Sequence, residues 1–301
     1  MDIATNVKKK KPLIHDKTVG YLFIAPFYIF LLVFVLIPIG FNVFYSFTNY
    51  NLRSASFVGI SNYQFVFSDT VFRTSFKNTV VYTVTFVLLN MLLGFLLANV
   101  LNNQKLIGTR FIRTCFFAPY VCSMVSASLI WMWMYQPQGT FNSILSLFGQ
   151  NPSRWLYDVN LALGCIIFVS VWKSVGYYML IFLAGFQNIP ESVLEAALID
   201  GANTNQMIRY IKIPLLRPVT FFLTVTGTIN SFSTFEIVEL LTQGGPMNST
   251  TTVAHQIYLR AFRNNQFGIS SAQSVVLMII VFIFIILNFR YGSQGEDIEV
   301  G

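Results

Sequence analysis

The chain has 301 residues, of which 54% are apolar and only 10% charged, against about 25% charged in ordinary soluble domains. Its 31 phenylalanines, set against 12 acidic residues and 2 histidines, exclude a conventional water-soluble globule, and the net charge of +7 fits membrane topology better than nucleic-acid binding. Cys115, Cys122 and Cys165 lie in apolar runs without metal spacing, which supports neither a disulfide framework nor a zinc site.

A bilayer core is crossed by about 20 mainly apolar residues in a helix, and six stretches meet that requirement: Tyr21–Ser46, Asn78–Leu101, Phe111–Tyr135, Leu161–Phe186, Pro218–Leu241 and Ser271–Leu287. Nothing alternates with the period of a barrel strand, so all six read as helices. The predicted fold is an all-α, polytopic bundle of six transmembrane helices. It occupies residues 20–291, between a basic tail at 1–19 and a short tail at 292–301. The run Lys8–Lys11 reads as a solvated, topology-setting tail. The apolar stretch after it is longer than a signal-peptide core and lacks a small-residue cleavage site, so it reads as an uncleaved first span.

Placing the N-terminus in the cytoplasm puts twelve lysines and arginines on the inside (Lys8, Lys9, Lys10, Lys11, Lys17, Lys105, Arg110, Arg113, Arg209, Lys212, Arg217 and Arg290). Six fall outside (Arg53, Arg73, Lys77, Arg154, Arg260 and Arg263), and Lys173 lies within a span. That imbalance favours both termini inside. The outer loops are then 47–77, 136–160 and 242–270; the last opens with Thr242-Gln-Gly-Gly-Pro246, a strong turn signal.

The longest polar interval on the inner side is 188–218. Pro190 suits the first turn of a helix, and Asn188 with Glu191 has capping-box spacing. Val193, Leu194, Ala197 and Leu198 fall at helical spacing, and Gly201 suits the position just past the helix end. Asn203 or Thr204 is placed to cap a second short helix, which Pro214 and Pro218 would end. On their own these features describe an ordinary interfacial hairpin.

Glu195-Ala196-Ala197, then Gly201, then Ile211-x-Ile213-Pro214 at this spacing resembles the cytoplasmic loop of permease subunits from bacterial ATP-binding-cassette importers. Ile213 stands where leucine is usual in that pattern. Phe57-Val-Gly-Ile-Ser-Asn-Tyr63, Leu241-Thr-Gln-Gly-Gly-Pro246 and Tyr21-Leu-Phe-Ile-Ala-Pro-Phe27 further resemble carbohydrate-uptake permeases, of the kind that comes first in a pair. The resemblance implies the type I importer permease fold. It implies that the helix carrying Glu195, Ala196, Ala197, Asp200 and Gly201, with Ile211 and Pro214 behind it, is a coupling helix docking on separate ATPase subunits. ATP and magnesium would bind in those subunits, and this chain would carry no cofactor. A second permease, an external solute-binding protein and a sugar or oligosaccharide substrate are implied as partners, with the chain in the bacterial cytoplasmic membrane. Glycerol-phosphate-type and other polar solutes fall within the same resemblance.

Lys173 is the one basic residue deep in a span, where an ionisable group is costly and is paired or faces a polar cavity. Two readings stand level: a donor lining a solute path with Tyr177 one turn away, and an ion pair with Glu236. Asn230 and Ser231 in the polar fifth segment, and Asn90 in the second, are further pathway candidates, although small hydroxyl residues also serve helix packing. There is no phosphate-cradling Gly-x4-Gly-Lys-Ser/Thr loop and no nucleophile–base pair. His15 lies in the tail, and His255 reads as a surface residue of an outer loop. A secondary transporter would show internal repeats or a relay of intramembrane acids, and a membrane enzyme would show clustered His, Asp or Glu; neither pattern is present.

Overall fold

The computed structural model describes residues 16–103 and 106–292; Lys8–Lys11, His15, Lys105 and the tail beyond residue 292 lie outside that range. The described chain is helical, with one isolated bridge between Thr48 and Phe57. Four helices are long and apolar enough to cross a membrane unbroken: Gly20–Ser46, Thr70–Leu101, Ala162–Gln187 and Phe267–Arg290. The second begins at Thr70 rather than Asn78 because Asp69 caps it, accepting a hydrogen bond from the Val71 N–H at 2.9 Å.

The third and fifth apolar segments are both divided: counted as one span, the bent third brings the candidates to five among the described residues, whereas the fifth, cut short at Phe232, does not qualify as the expected sixth. Thr109–Val121 and Met124–Met134 meet at 98°, with Cys122 and Ser123 extended between them. Pro119 lies in the last turn before the break; it removes an N–H donor, and its ring crowds the preceding turn. The fifth segment runs as Arg217–Phe232, leaves helical geometry and resumes as Glu236–Leu241. At that break the Ser233 and Thr234 hydroxyls donate to the carbonyls of Ile229 and Asn230, a local alternative to the helix ladder.

Two more irregularities precede prolines. π-helical turns at Leu32–Leu36 and Met207–Lys212 lie just ahead of Pro38 and Pro214. A wide turn there relieves the clash a proline imposes on the carbonyl one turn back.

Thr70–Leu101 and Ala162–Gln187 form the centre of the bundle. Lipid is as apolar as leucine, so such contacts rest on close packing rather than on a hydrophobic drive. Between the two helices, a Cβ on Gly94 would stand 2.7 Å from the Tyr178 Cβ, and at Gly176 a Cβ would stand 2.0 Å from the Phe116 carbonyl oxygen of Thr109–Val121. One apolar cluster, including Tyr82, Phe86, Trp131 and Ile166, fills the end near Leu156 and Leu241. Another, with Ala98, Leu101, Phe182, Phe186 and Leu216, fills the end near the 188–218 segment. The Ile37–Ser46 part of the first span packs on the last helix, while Tyr21, Phe23 and Phe27 stand largely exposed.

The loops within 47–77 and 242–270 are knit by buried polar contacts. Asn62 donates to the Ser46 and Thr48 carbonyls, and Asn78 to those of Asn248 and Thr251. Arg260 pairs with Asp69 at 2.7 Å. His255 is not a surface residue: it is fully buried, with Nε2 2.9 Å from a Glu239 oxygen whose partner oxygen meets Arg263. The residue is drawn inside because Glu239, on the short helix after the fifth-segment break, supplies the polar partner that burial demands.

Candidate functional site: the 188–218 segment and a cavity between two broken helices

The 188–218 segment holds two short helices separated at Gly201, with a different start from the one the spacing predicts. Asn188 ends the preceding helix, its N–H bonding back to Ala184 and Gly185, and Pro190 is the N-cap of Glu191–Ile199. No side-chain cap forms there, so the Asn188–Glu191 capping box is absent. The end is as expected. Gly201 has φ +81°, its N–H bonds to the Leu198 carbonyl, and the Ala202 N–H bonds to that of Ala197 at 2.9 Å. This paired arrangement satisfies the carbonyls a helix end leaves over.

Only Ala197 of this helix is buried, with Leu194 half-buried. Val193, which the spacing placed on the same face, is exposed, as are Glu195, Ala196, Asp200, Leu198 (62%) and Ile199 (85%). The helix thus presents an apolar and acidic surface away from the bundle. Asn203 and Gln206 form a complete capping box for the second helix. That helix runs through Pro214 to Leu215, and Pro218 lies in the first turn of the next. The prolines therefore shape this segment without ending it. Asp200, Gly201, Tyr210 and Ile211 help line a hollow of about 270 Å³ between the two helices. Lys212 is half-buried, and its desolvation holds the ammonium below the usual lysine pKa.

The second feature is a cavity of about 240 Å³ bordered by both helix breaks. Tyr120 and Met124 come from the third segment, and Asn230, Ser231, Ser233, Thr234, Phe235 and Glu236 from the fifth; Ser170, Lys173 and Ser174 come from Ala162–Gln187, and Tyr82 and Phe86 from Thr70–Leu101. Of the predicted pathway residues, Lys173, Asn230, Ser231 and Glu236 meet here. Tyr177 reaches the edge of the site by stacking on Tyr120, ring centroids 4.9 Å apart. Asn90 does not take part: it is fully buried, and its amide donates to the Phe86 carbonyl at 2.9 Å.

Lys173 lines the cavity, but its donors are turned to backbone. Its ammonium donates to the carbonyls of Pro119 and Tyr120, each at 3.1 Å, and of Cys122. All three of its protons are used, and Glu236 forms no ion pair among the described residues. The lysine caps the helix that stops at this break, satisfying carbonyls the helix end leaves over and setting a cation at the negative end of the helix dipole. It therefore contributes charge to the cavity wall but no free donor. The remaining polar surface comes from hydroxyl oxygens, whose protons on Ser170, Ser231, Ser233 and Thr234 go to their own helices, together with the Asn230 amide and the exposed Glu236 carboxylate.

Tyr82, Tyr120, Ser170, Ser174 and Thr234 also line the cavity and are not singled out by the sequence reading. A signal for some of them exists: Ser170, Lys173, Ser174 and Tyr177 recur at helical spacing and mark a polar stripe on an otherwise apolar helix.

Comparison with known proteins bears on what this arrangement does. Residues 90–291 match the family model described as binding-protein-dependent transport system inner membrane component. The chain is 36% identical to the probable ABC transporter permease protein YesP of Bacillus subtilis (strain 168), over 98% of this chain and 97% of that protein. It is 34% identical to the sn-glycerol-3-phosphate transport system permease protein UgpA of Escherichia coli O157:H7, over 95% and 97%. Among solved structures, a bacterial alginate ABC transporter in complex with alginate pentasaccharide-bound periplasmic protein contains a chain that superposes with a TM-score of 0.78 at 21% identity, covering 91% of this chain and 93% of that one. At that identity the likeness speaks for the fold alone.

Proposed function

Because the chain belongs to the family of binding-protein-dependent transport system inner membrane components, we propose that the cavity between its two broken helices is its half of a pathway for a small polyhydroxylated solute bearing an anionic group. The family sets the frame: this is a multi-pass permease component of a bacterial inner-membrane ABC importer, it has no cofactor of its own, and ATP is hydrolysed by partner ATPase subunits rather than by this chain.

The observation that carries the pathway reading is the convergence of both helix breaks on one polar cavity. Irregular backbone at membrane depth is tolerated where it is buried in protein or lines a water-filled path. One chain supplies one wall, so a second permease completes the enclosure. The N-terminus and the 188–218 segment then lie in the cytoplasm, with residues 20–291 as the permease domain between two tails. Glu195, Ala196, Ala197, Asp200 and Gly201 dock on an ATPase subunit, the exposed Leu198 and Ile199 adding apolar contact area. Ile211 and Pro214 shape the helix behind them. ATP-driven closure of the ATPase pair pushes this knob, and the spans attached to it rock about their packed interfaces. A solute-binding protein delivers cargo at the outer loops.

For the cargo, the relative named for sn-glycerol-3-phosphate transport, alike over 95% of this chain, weights the reading toward a glycerol-phosphate-type solute over the oligosaccharide expected from the sequence. A neutral saccharide is the second reading, favoured by the Tyr82, Phe86 and Tyr120 rings beside hydroxyl groups in the cavity. Calorimetric titration of the cognate solute-binding protein separates the two. Tight binding of sn-glycerol 3-phosphate with weak binding of neutral oligosaccharides is expected; the reverse preference overturns the phosphate reading.

A further inference from the structure

We infer that Lys212 is the positioning residue through which the 188–218 segment drives the second span, so that its charge sets how much transport follows from each ATP hydrolysed. The inference rests on the coupling reading above. Lys212 closes the π-helical turn Met207–Lys212, at the far end of the segment from the exposed Glu191–Ile199 knob. Its Nζ is 3.2 Å from Asn99 Oδ1, near the end of Thr70–Leu101. The same Nζ lies 5.5 Å from the ring centroid of Phe186, in the last turn of Ala162–Gln187. One ammonium therefore touches the inner ends of both central helices.

Leu216, one turn further on, is 1% exposed and packs in the cluster with Ala98, Leu101, Phe182 and Phe186. Lys212 and Leu216 thus grip the two helices from one face of the segment. Leu216 makes a dry contact that holds position. Lys212 makes a polar one that can be broken and remade, because an amide oxygen and an aromatic face hold a cation without neutralising it.

The choice of residue argues for this role over simple packing. Desolvation disfavours the charged lysine here, and Lys212 has no acidic partner among the described residues. A methionine or leucine would fill the space against Phe186 without that cost. Retaining an ammonium at a joint between a moving knob and two packed helices gives that joint two discrete states, docked on Asn99 or released, which is what a coupling element needs.

The test uses the reconstituted importer with both permeases, the ATPase subunits and the binding protein. The sn-glycerol 3-phosphate transported per ATP hydrolysed is measured for wild type, Lys212→Met, Lys212→Arg, Asn99→Leu and the Lys212→Met/Asn99→Leu double variant. Lys212→Met and Asn99→Leu are each expected to lower that ratio by about tenfold, within the usual span of coupling between sites. The ATPase subunits should still copurify, Lys212→Arg should restore most of the ratio, and the double variant should be no worse than the worse single one. An unchanged ratio in Lys212→Met, a loss that Lys212→Arg does not relieve, or additive losses in the double variant overturns the inference. Copurification of the ATPase with Gly201→Asp is read in parallel. If that variant keeps the ATPase and full uptake, the docking reading itself fails, an outcome distinct from failure of the Lys212 joint alone.

Discussion

Lys173→Met keeps the length of the side chain and removes its ammonium, so it isolates what the charge does at the break in the third segment. The wild-type amine donates to the carbonyls of Pro119, Tyr120 and Cys122. A hydrogen bond to a charged group is worth about 1.5–3 kcal/mol. Two of the three bonds are exposed, and water in the cavity takes over part of what those carbonyls need. The net loss is therefore expected near the worth of one such bond, about 2–3 kcal/mol. The assay pairs thermal unfolding of the purified importer in detergent with ATP-driven uptake by the same preparation. The variant should melt at a lower temperature and transport more slowly. Lys173→Arg should recover part of both, since a guanidinium also donates to several carbonyls but in a fixed fork. Unchanged melting and unchanged uptake in Lys173→Met would refute the reasoning, because the break would then need no cation.

Gly176→Ala would set a Cβ 2.0 Å from the Phe116 carbonyl oxygen and 2.5 Å from its carbon, both backbone atoms, and overpacking of this kind costs about 1–3 kcal/mol. A lower melting temperature is expected, while Gly164→Ala, whose Cβ meets nothing within 4 Å, should melt like wild type. Gly201→Asp forces a side chain onto φ +81°, at about 1–2 kcal/mol, and adds a carboxylate beside Asp200. The chain should still insert, but ATPase copurification and uptake should both fall; normal uptake counts against docking at this helix.

The sequence makes the apolar segments, the polar interval at 188–218 and the Gly201 turn legible, because each is written in contiguous residues with one physical requirement. The breaks are harder to see. A hydropathy window averages over Cys122–Ser123 and over Ser233–Phe235, and prolines inside spans are common enough that Pro119 alone does not mark one. Lys173 is visible as costly, but its partners are backbone carbonyls, which no side-chain pattern displays. His255 is misjudged for a related reason, since Glu239 and the turn that bury it come from other elements. At Asn188 the capping pattern is real, yet the preceding helix uses that residue first and leaves Pro190 at the boundary. Asn90 is a different case, a polar residue in a span that bonds its own helix and lies outside the cavity lining.

The function proposed for this chain is ATP-driven import of a glycerol-phosphate-type solute through a path shared with a second permease. The most direct measurement is uptake of radiolabelled sn-glycerol 3-phosphate into vesicles holding both permeases and the ATPase subunits, with the binding protein outside and ATP inside. Accumulation that needs ATP, the binding protein and both permeases is the predicted result. Accumulation without ATP, accumulation by this chain alone, or no accumulation of the phosphate ester while a neutral oligosaccharide is taken up would contradict it.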